Sequence, residues 1–214
     1  MNVIYIWNAL DMSMESAFEK TARLLLTEPQ RRWTGLELSQ RTGFSRAMTS
    51  RILTQLGKDV VVAKPYKNQF VLVEPIRLLM LWSCRRRMPQ PTYVKTSKTD
   101  DDLDAIIRTT KGVALTLFRG AWLRAHYMRT TSYELYVVPE KLQKVVRSIG
   151  RTSTIPQRVS IYSAEDGAVF QGIEKVKGIP IVSVPQNFVD LMSVGGSGPR
   201  VALQLGTAIG LLKV

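Results

Sequence analysis

Residues 34 to 73 carry start and stop signals at short intervals, and these leave the chain few ways to fold. Thr34 can cap a short helix over Gly35 to Arg41, Gly43 supplies a turn, and Ser45 can cap a second helix through its hydroxyl. A valine run opening at Val60 follows that helix almost at once. Val60 to Lys64 and Gln69 to Val73 then read as the strands of a β-hairpin joined by Pro65, Tyr66, Lys67 and Asn68. Upstream, Met14, Phe18, Ala22 and Leu25 share one side of a helix over Met14 to Leu26, which ends at Glu28-Pro29 because proline disfavours helical geometry in the residue before it. Downstream, a helix over Pro75 to Arg87 has proline in its first turn and Arg85 to Arg87 in its last.

The helix after Ser45 has two distinct faces. At 100° per residue Thr49, Ile52, Leu53 and Leu56 cluster on one side, and Ala47, Ser50, Arg51 and Thr54 on the other. Small and hydroxylic side chains permit close approach to base edges, and Arg46 or Arg51 can donate two hydrogen bonds to a guanine. Any solvated helix puts Ser, Thr and Arg outside, so the face alone does not decide. The succession of capped helix, turn, capped helix and a hairpin made basic by Lys64 and Lys67 shifts the reading to double-stranded DNA. Charge agrees: 30 Lys and Arg against 17 Asp and Glu give +13, which favours a polyanionic partner through counterion release. Divided at residue 98, the excess falls mainly in the first half, with nets of +9 and +4.

The stretch LELSQRTGFSRAMTSRILTQLGKDVVV, residues 36 to 62, resembles the winged helix-turn-helix domains of transcription regulators, and the likeness extends over residues 14 to 75. It implies that Ser45, Arg46, Ser50, Arg51, Thr54 and Gln55 lie in or beside the major groove, with Lys64, Lys67 and Asn68 in the wing. Thr34, at the start of the preceding helix, completes the expected DNA-binding set. Two features depart from the pattern: Gly57-Lys58-Asp59 is a tight connection, and Asp59 is unfavourable near phosphate. Some winged helices bind RNA or protein, and that alternative stands beside DNA.

Met88 to Asp102, with two prolines and little apolar content, reads as a linker, so a boundary near residue 95 would divide a DNA-binding domain (1–95) from a second domain (96–214). The helix over Pro75 to Arg87 presents Ile76, Leu78, Leu79, Met80, Leu81 and Trp82. That surface is broader than one stripe and is expected to be buried against the second domain or a partner chain. Beyond the linker, helices are expected over Asp101 to Thr110, Ala121 to Tyr127, Pro139 to Ile149, Gln186 to Ser193 and Pro199 to Leu212. Strands are expected over Gly112 to Phe118, Tyr133 to Val138, Arg158 to Tyr162 and Ile179 to Val184. The alternation predicts an α/β class overall, with a small α/β sandwich as the second domain.

No catalytic set emerges, and no metal or cofactor is expected. The Asp100, Asp101, Asp102 and Asp104 cluster suits a helix start as well as a cation. SVGGSGPR, residues 193 to 200, lacks the Gly-Lys-Ser/Thr end of a phosphate loop and reads as a turn. Cys84, the single cysteine, is expected in the core, and His126 has no partner constellation. GVALTLFRGAWLRAHY, residues 112 to 127, and IPIVSVPQNFVDLMSVGGSGPRVALQLG, residues 179 to 206, resemble the AbiEi-type antitoxin and regulator family of abortive-infection systems. That likeness implies a repressor, often autoregulating a toxin operon, with a nucleotidyltransferase-like second domain. The paired carboxylates of an active transferase are absent after Gly196-Ser197. The expectation is therefore a DNA-binding regulator rather than an enzyme, with duplex DNA as partner, a homodimer, and a toxin or effector engaged by the second domain. A nucleotide-chemistry enzyme with a winged-helix attachment is the alternative. MNVIYIW has no signal-peptide pattern and no apolar run is long enough for a membrane span, so a cytoplasmic location is expected.

Overall fold

The computed structural model describes residues 16–127, 130–150, 157–165 and 167–208. Met14 and Leu212, expected as helix ends, lie outside them, as does MNVIYIW. The class is mixed α/β, and the chain divides into two compact units, Met1–Arg86 and Arg87–Val214.

The first unit opens with α1 (16–27), which buries Phe18, Ala22, Leu25 and Leu26. A two-residue strand β1 (Trp33–Thr34), which sequence reasoning missed, leads into α2 (Gly35–Thr42). Thr34 caps α2 by accepting from the Glu37 amide at 3.1 Å. Gly43 ends it in the left-handed region at φ 76°, where a Cβ would be strained. Ser45 caps α3 (Arg46–Lys58) by accepting from the Met48 amide at 3.2 Å. The hairpin strands β2 (Val62–Tyr66) and β3 (Gln69–Leu72) join β1 in the order β1-β3-β2, all antiparallel. Its loop is two residues, shorter than expected: Tyr66 pairs with Gln69, and Asn68 takes φ 68° in the turn. The ladder is irregular between Ala63 and Tyr66, where Pro65 has no amide to donate.

The tight link from α3 to β2 works by a left-handed residue. Val60 adopts φ 56°, its amide donates to Gly57 O at 3.1 Å and the Val61 amide to Leu56 O at 2.9 Å, a Schellman closure normally made with glycine. A β-branched side chain is strained in that region. Helix α4 (Pro75–Arg85) follows, burying Leu78, Leu79 and Trp82 but leaving Ile76 40% exposed, so only part of its apolar surface is covered. Cys84 is exposed, contrary to the core position expected, because it follows the buried stripe of Leu78, Leu79 and Trp82 onto the outer side of the helix.

In the second unit a mixed sheet runs β4-β7-β6-β5-β9-β8. Its members are β4 (Thr92–Thr96), β5 (Val113–Leu115), β6 (Tyr133–Val137), β7 (Gln157–Ser163), β8 (Glu174–Val176) and β9 (Ile179–Ile181). The segment read as a linker therefore supplies an edge strand: β4 pairs antiparallel with β7, Val94 opposite Val159. A boundary at residue 95 would cut that strand, and the units separate instead between Arg86 and Arg87. Helices α5 (Asp100–Thr109) and α7 (Leu142–Ile149) cover one sheet face, packing Leu103, Ile107, Val145 and Ile149 against Leu135, Val137, Val159 and Ile161. Helices α6 (Leu117–Ala125), α8 (Val184–Ser193) and α9 (Gly198–Ala208) pack on one another. The expected strand Gly112 to Phe118 stops at Leu115, because Leu117 turns the chain into α6 with φ 48°.

Candidate nucleic-acid interface

The expected DNA-facing residues divide by how the folded chain holds them. On α3, Thr49, Ile52, Leu53 and Leu56 are buried, while Ala47, Ser50, Arg51 and Thr54 are exposed, as the helical period requires. Arg46 and Gln55 are exposed on the same helix, and Ser45 is exposed at its cap. Neither Arg46 nor Arg51 makes an ion pair among the described residues, so both guanidiniums are open to solvent. Gln55 is committed: its Nε2 lies 3.2 Å from both carboxylate oxygens of Asp59. The same contact occupies Asp59, the acid that directly follows α3.

Thr34 is half-buried and its hydroxyl accepts from an amide, which makes it first of all a cap. Lys64, Lys67 and Asn68 are exposed on the hairpin, with Lys64 Nζ 5.7 Å from the Phe70 ring centre. Two neighbours escaped sequence reasoning. Tyr66 is 58% exposed at the hairpin end, and the Arg32 guanidinium stacks over its ring at 5.4 Å. The doublet Arg31-Arg32 before Trp33 was the available signal.

Not every arginine here is free. Arg31 and Arg41 lie over the buried Trp33 ring at 4.5 and 5.1 Å, and Glu28 accepts from both, at 2.5 and 2.8 Å. The hydrogen bond from Arg31 holds the Glu28 carboxyl below the usual carboxylate range. These two arginines therefore fasten α2 to the end of α1, whereas Arg46 and Arg51 on α3 and Lys67 on the hairpin stay exposed.

The features that invited enzymatic readings have other partners. Asp102 forms a capping box with Thr99, whose hydrogen bond lowers its carboxyl, while Asp100 and Asp104 pair with Arg119 at 3.2 and 3.6 Å. Residues 195 and 196 turn between α8 and α9 with positive φ, and Gly198 opens α9. His126 is exposed at the left-handed cap of α6, its ring edge-on to Trp122 at 5.3 Å. Sequence reasoning missed the polar seam of the second unit. Thr116 Oγ1 donates to Asp190 Oδ2 at 2.8 Å, Gln186 Nε2 to Asp190 Oδ1 at 2.8 Å, and the Arg119 amide to Glu134 Oε2 at 3.1 Å. With the Thr116 hydroxyl diverted, Glu134 takes over the capping of α6. The polar run Gln186, Asn187 and Asp190 inside an apolar helix was its only signal.

Burial holds the Glu134 carboxyl above its ordinary range, opposed by hydrogen bonds from Ser132 and the Arg119 amide. Folding thus favours the protonated form, a stabilisation present at acidic pH and lost as pH rises through the raised value. The neutral isostere Glu134→Gln is expected to flatten this dependence. Urea midpoints compared between about pH 4 and about pH 8 should fall less in the variant than in the wild type, and parallel curves would refute the assignment.

No family model, curated protein or solved structure matches the chain. Among the described residues no helix is long and apolar enough to cross a membrane.

Proposed function

We propose that the first unit is a winged helix-turn-helix that reads duplex DNA through α3, and that the chain is a transcription regulator acting as a repressor. One observation carries the reading: α3 buries its apolar side and turns outward an unpaired Arg46, an unpaired Arg51, and the small or hydroxylic Ala47, Ser50 and Thr54. Phosphate contacts from Lys and Arg would set most of the affinity, while α3 sets the sequence preference. The hairpin, with Lys64, Lys67 and the Arg32–Tyr66 stack, is the wing. Pairing of two copies on symmetric half-sites, and engagement of a toxin or effector by the second unit, belong to the same proposal.

Selection of bound sites from randomised duplex DNA tests it. A consensus should be enriched, palindromic if the chain acts as a dimer, and failure to enrich any motif sinks the sequence-specific reading. Arg51→Ala should then lose roughly 10- to 100-fold in affinity for the selected site, with random DNA affected far less. Equal losses on both would reject base readout by Arg51.

A further inference from the structure

Divided where the fold divides, the charge is no longer concentrated in the first half. Residues 1 to 86 hold 13 Lys and Arg against 7 Asp and Glu, a net of +6, and residues 87 to 214 hold 17 against 10, a net of +7. The second unit's carboxylates are also largely engaged within the fold. Asp100 and Asp104 pair with Arg119, Glu174 pairs with Arg124, Asp102 caps α5, and Glu134 and Asp190 are buried.

Several exposed bases without an acidic partner among the described residues sit on neighbouring elements. Lys141 Nζ donates to the Lys111 carbonyl at 2.7 Å, joining the start of α7 to the end of α5. Arg108, in the last turn of α5, lies against the turn between β8 and β9, where a Cβ on Gly178 would sit 3.9 Å from its Cδ and Nε. Lys175 and Lys177 flank that turn, and Lys144 stands one turn beyond Lys141, away from buried Val145 and Val146. Arg108, Lys111, Lys144, Lys175 and Lys177 are exposed, and none makes an ion pair among the described residues. Glu140 and Glu174 are exposed acids beside them, and Glu174 is engaged by Arg124 at 3.2 Å.

We propose that this band, comprising Arg108, Lys111, Lys141, Lys144, Lys175 and Lys177, binds the phosphate backbone of duplex DNA irrespective of sequence. The inference rests on the reading that the chain is a DNA-binding protein, and it gives the second unit a part in that binding. Compact ammonium groups suit phosphates as point charges. Single-strand grooves interleave bases with stacking aromatics; of the exposed tyrosines described in this unit, Tyr93 is on β4, at the opposite edge of the sheet from β8, and Tyr127 follows α6, so neither lies on the elements that carry the band.

The test uses the full chain with Lys111→Gln, Lys144→Gln, Lys175→Gln and Lys177→Gln together, beside a control carrying Lys95→Gln, Lys98→Gln, Arg158→Gln and Arg200→Gln, which removes the same charge outside the band. Circular dichroism establishes that both remain folded, and binding to a random-sequence duplex is measured from about 50 to about 200 mM salt. The slope of log affinity against log salt should fall by roughly 0.9 per lost contact, so the wild type should lose roughly 100-fold more affinity than the band variant across that range. Equal slopes in the band variant and the control, whether both reduced or both unchanged, overturn the proposal. If the slope is unchanged while the wild type still selects a DNA consensus, the band fails and the DNA reading survives. If the wild type binds no duplex DNA at all, both fall, and binding of structured RNA that depends on the band would place the surface with a different polymer.

Discussion

Arg119→Ala is expected to cost roughly 3–5 kcal/mol of folding stability, the usual consequence of stranding the partners of a buried charge. The guanidinium is 3% exposed. It reaches Asp100 Oδ2 at 3.2 Å and Asp104 Oδ1 at 3.6 Å, donates to the Tyr133 hydroxyl, and lies 4.2 Å over the Tyr133 ring and 5.1 Å over Trp122. Tyr133 in turn donates to Asp104 Oδ1 at 3.0 Å, and burial pushes its phenol well above the ordinary tyrosine range. Truncation would leave a largely buried carboxylate and a buried hydroxyl without their cation, and would open space between α5 and α6. The double variant Arg119→Met, Asp104→Leu should recover much of the loss, since an apolar replacement of both partners avoids the unpaired charge. Urea denaturation measures both. A loss below about 1 kcal/mol in the single variant would mean that water solvates the pair after all.

Gly198→Ala should lose about 3 kcal/mol or more for a reason that involves no charge. A Cβ there would stand 2.2 Å from the Leu191 carbonyl oxygen and 2.8 Å from Val194 Cγ2, and the backbone oxygen cannot swing aside as a side chain would. The first turn of α9 must move off α8, disturbing buried Val201 and Leu205. Gly195→Ala in the same turn provides the contrast: its Cβ would meet nothing within 4 Å, and only the φ of 70° opposes it, worth about 1–2 kcal/mol. Thermal melts of the two variants separate steric clash from backbone strain, and equal losses would refute the distinction.

Sequence reasoning succeeded where the signals are local. Thr34, Gly43 and Ser45 act within one turn of their own position, and α3 shows its period in 13 residues, so its caps and both its faces could be read directly. It failed where a distant partner decides. Thr92–Thr96 alternates an exposed Tyr93 and Lys95 with buried Val94 and Thr96, a strand pattern obscured by Pro89 and Pro91 and stabilised by β7 some sixty residues on. In the candidate interface, exposure was legible from the helical period. The fastening of Arg31 and Arg41 to Glu28, and of Gln55 to Asp59, was not, because side-chain partners do not follow from spacing alone.

The closure at Val60 and Val61 also has a mechanical side. The Val61 amide is held by Leu56 of α3, and its carbonyl accepts from both the Val73 amide at 2.9 Å and the Glu74 amide at 3.3 Å. One residue thus ties the end of α3, the far end of the hairpin and the entry to α4 into a single joint. These bonds oppose an independent swing of the hairpin on α3, and a load applied at the start of α4 is delivered to α3 through a link one residue long.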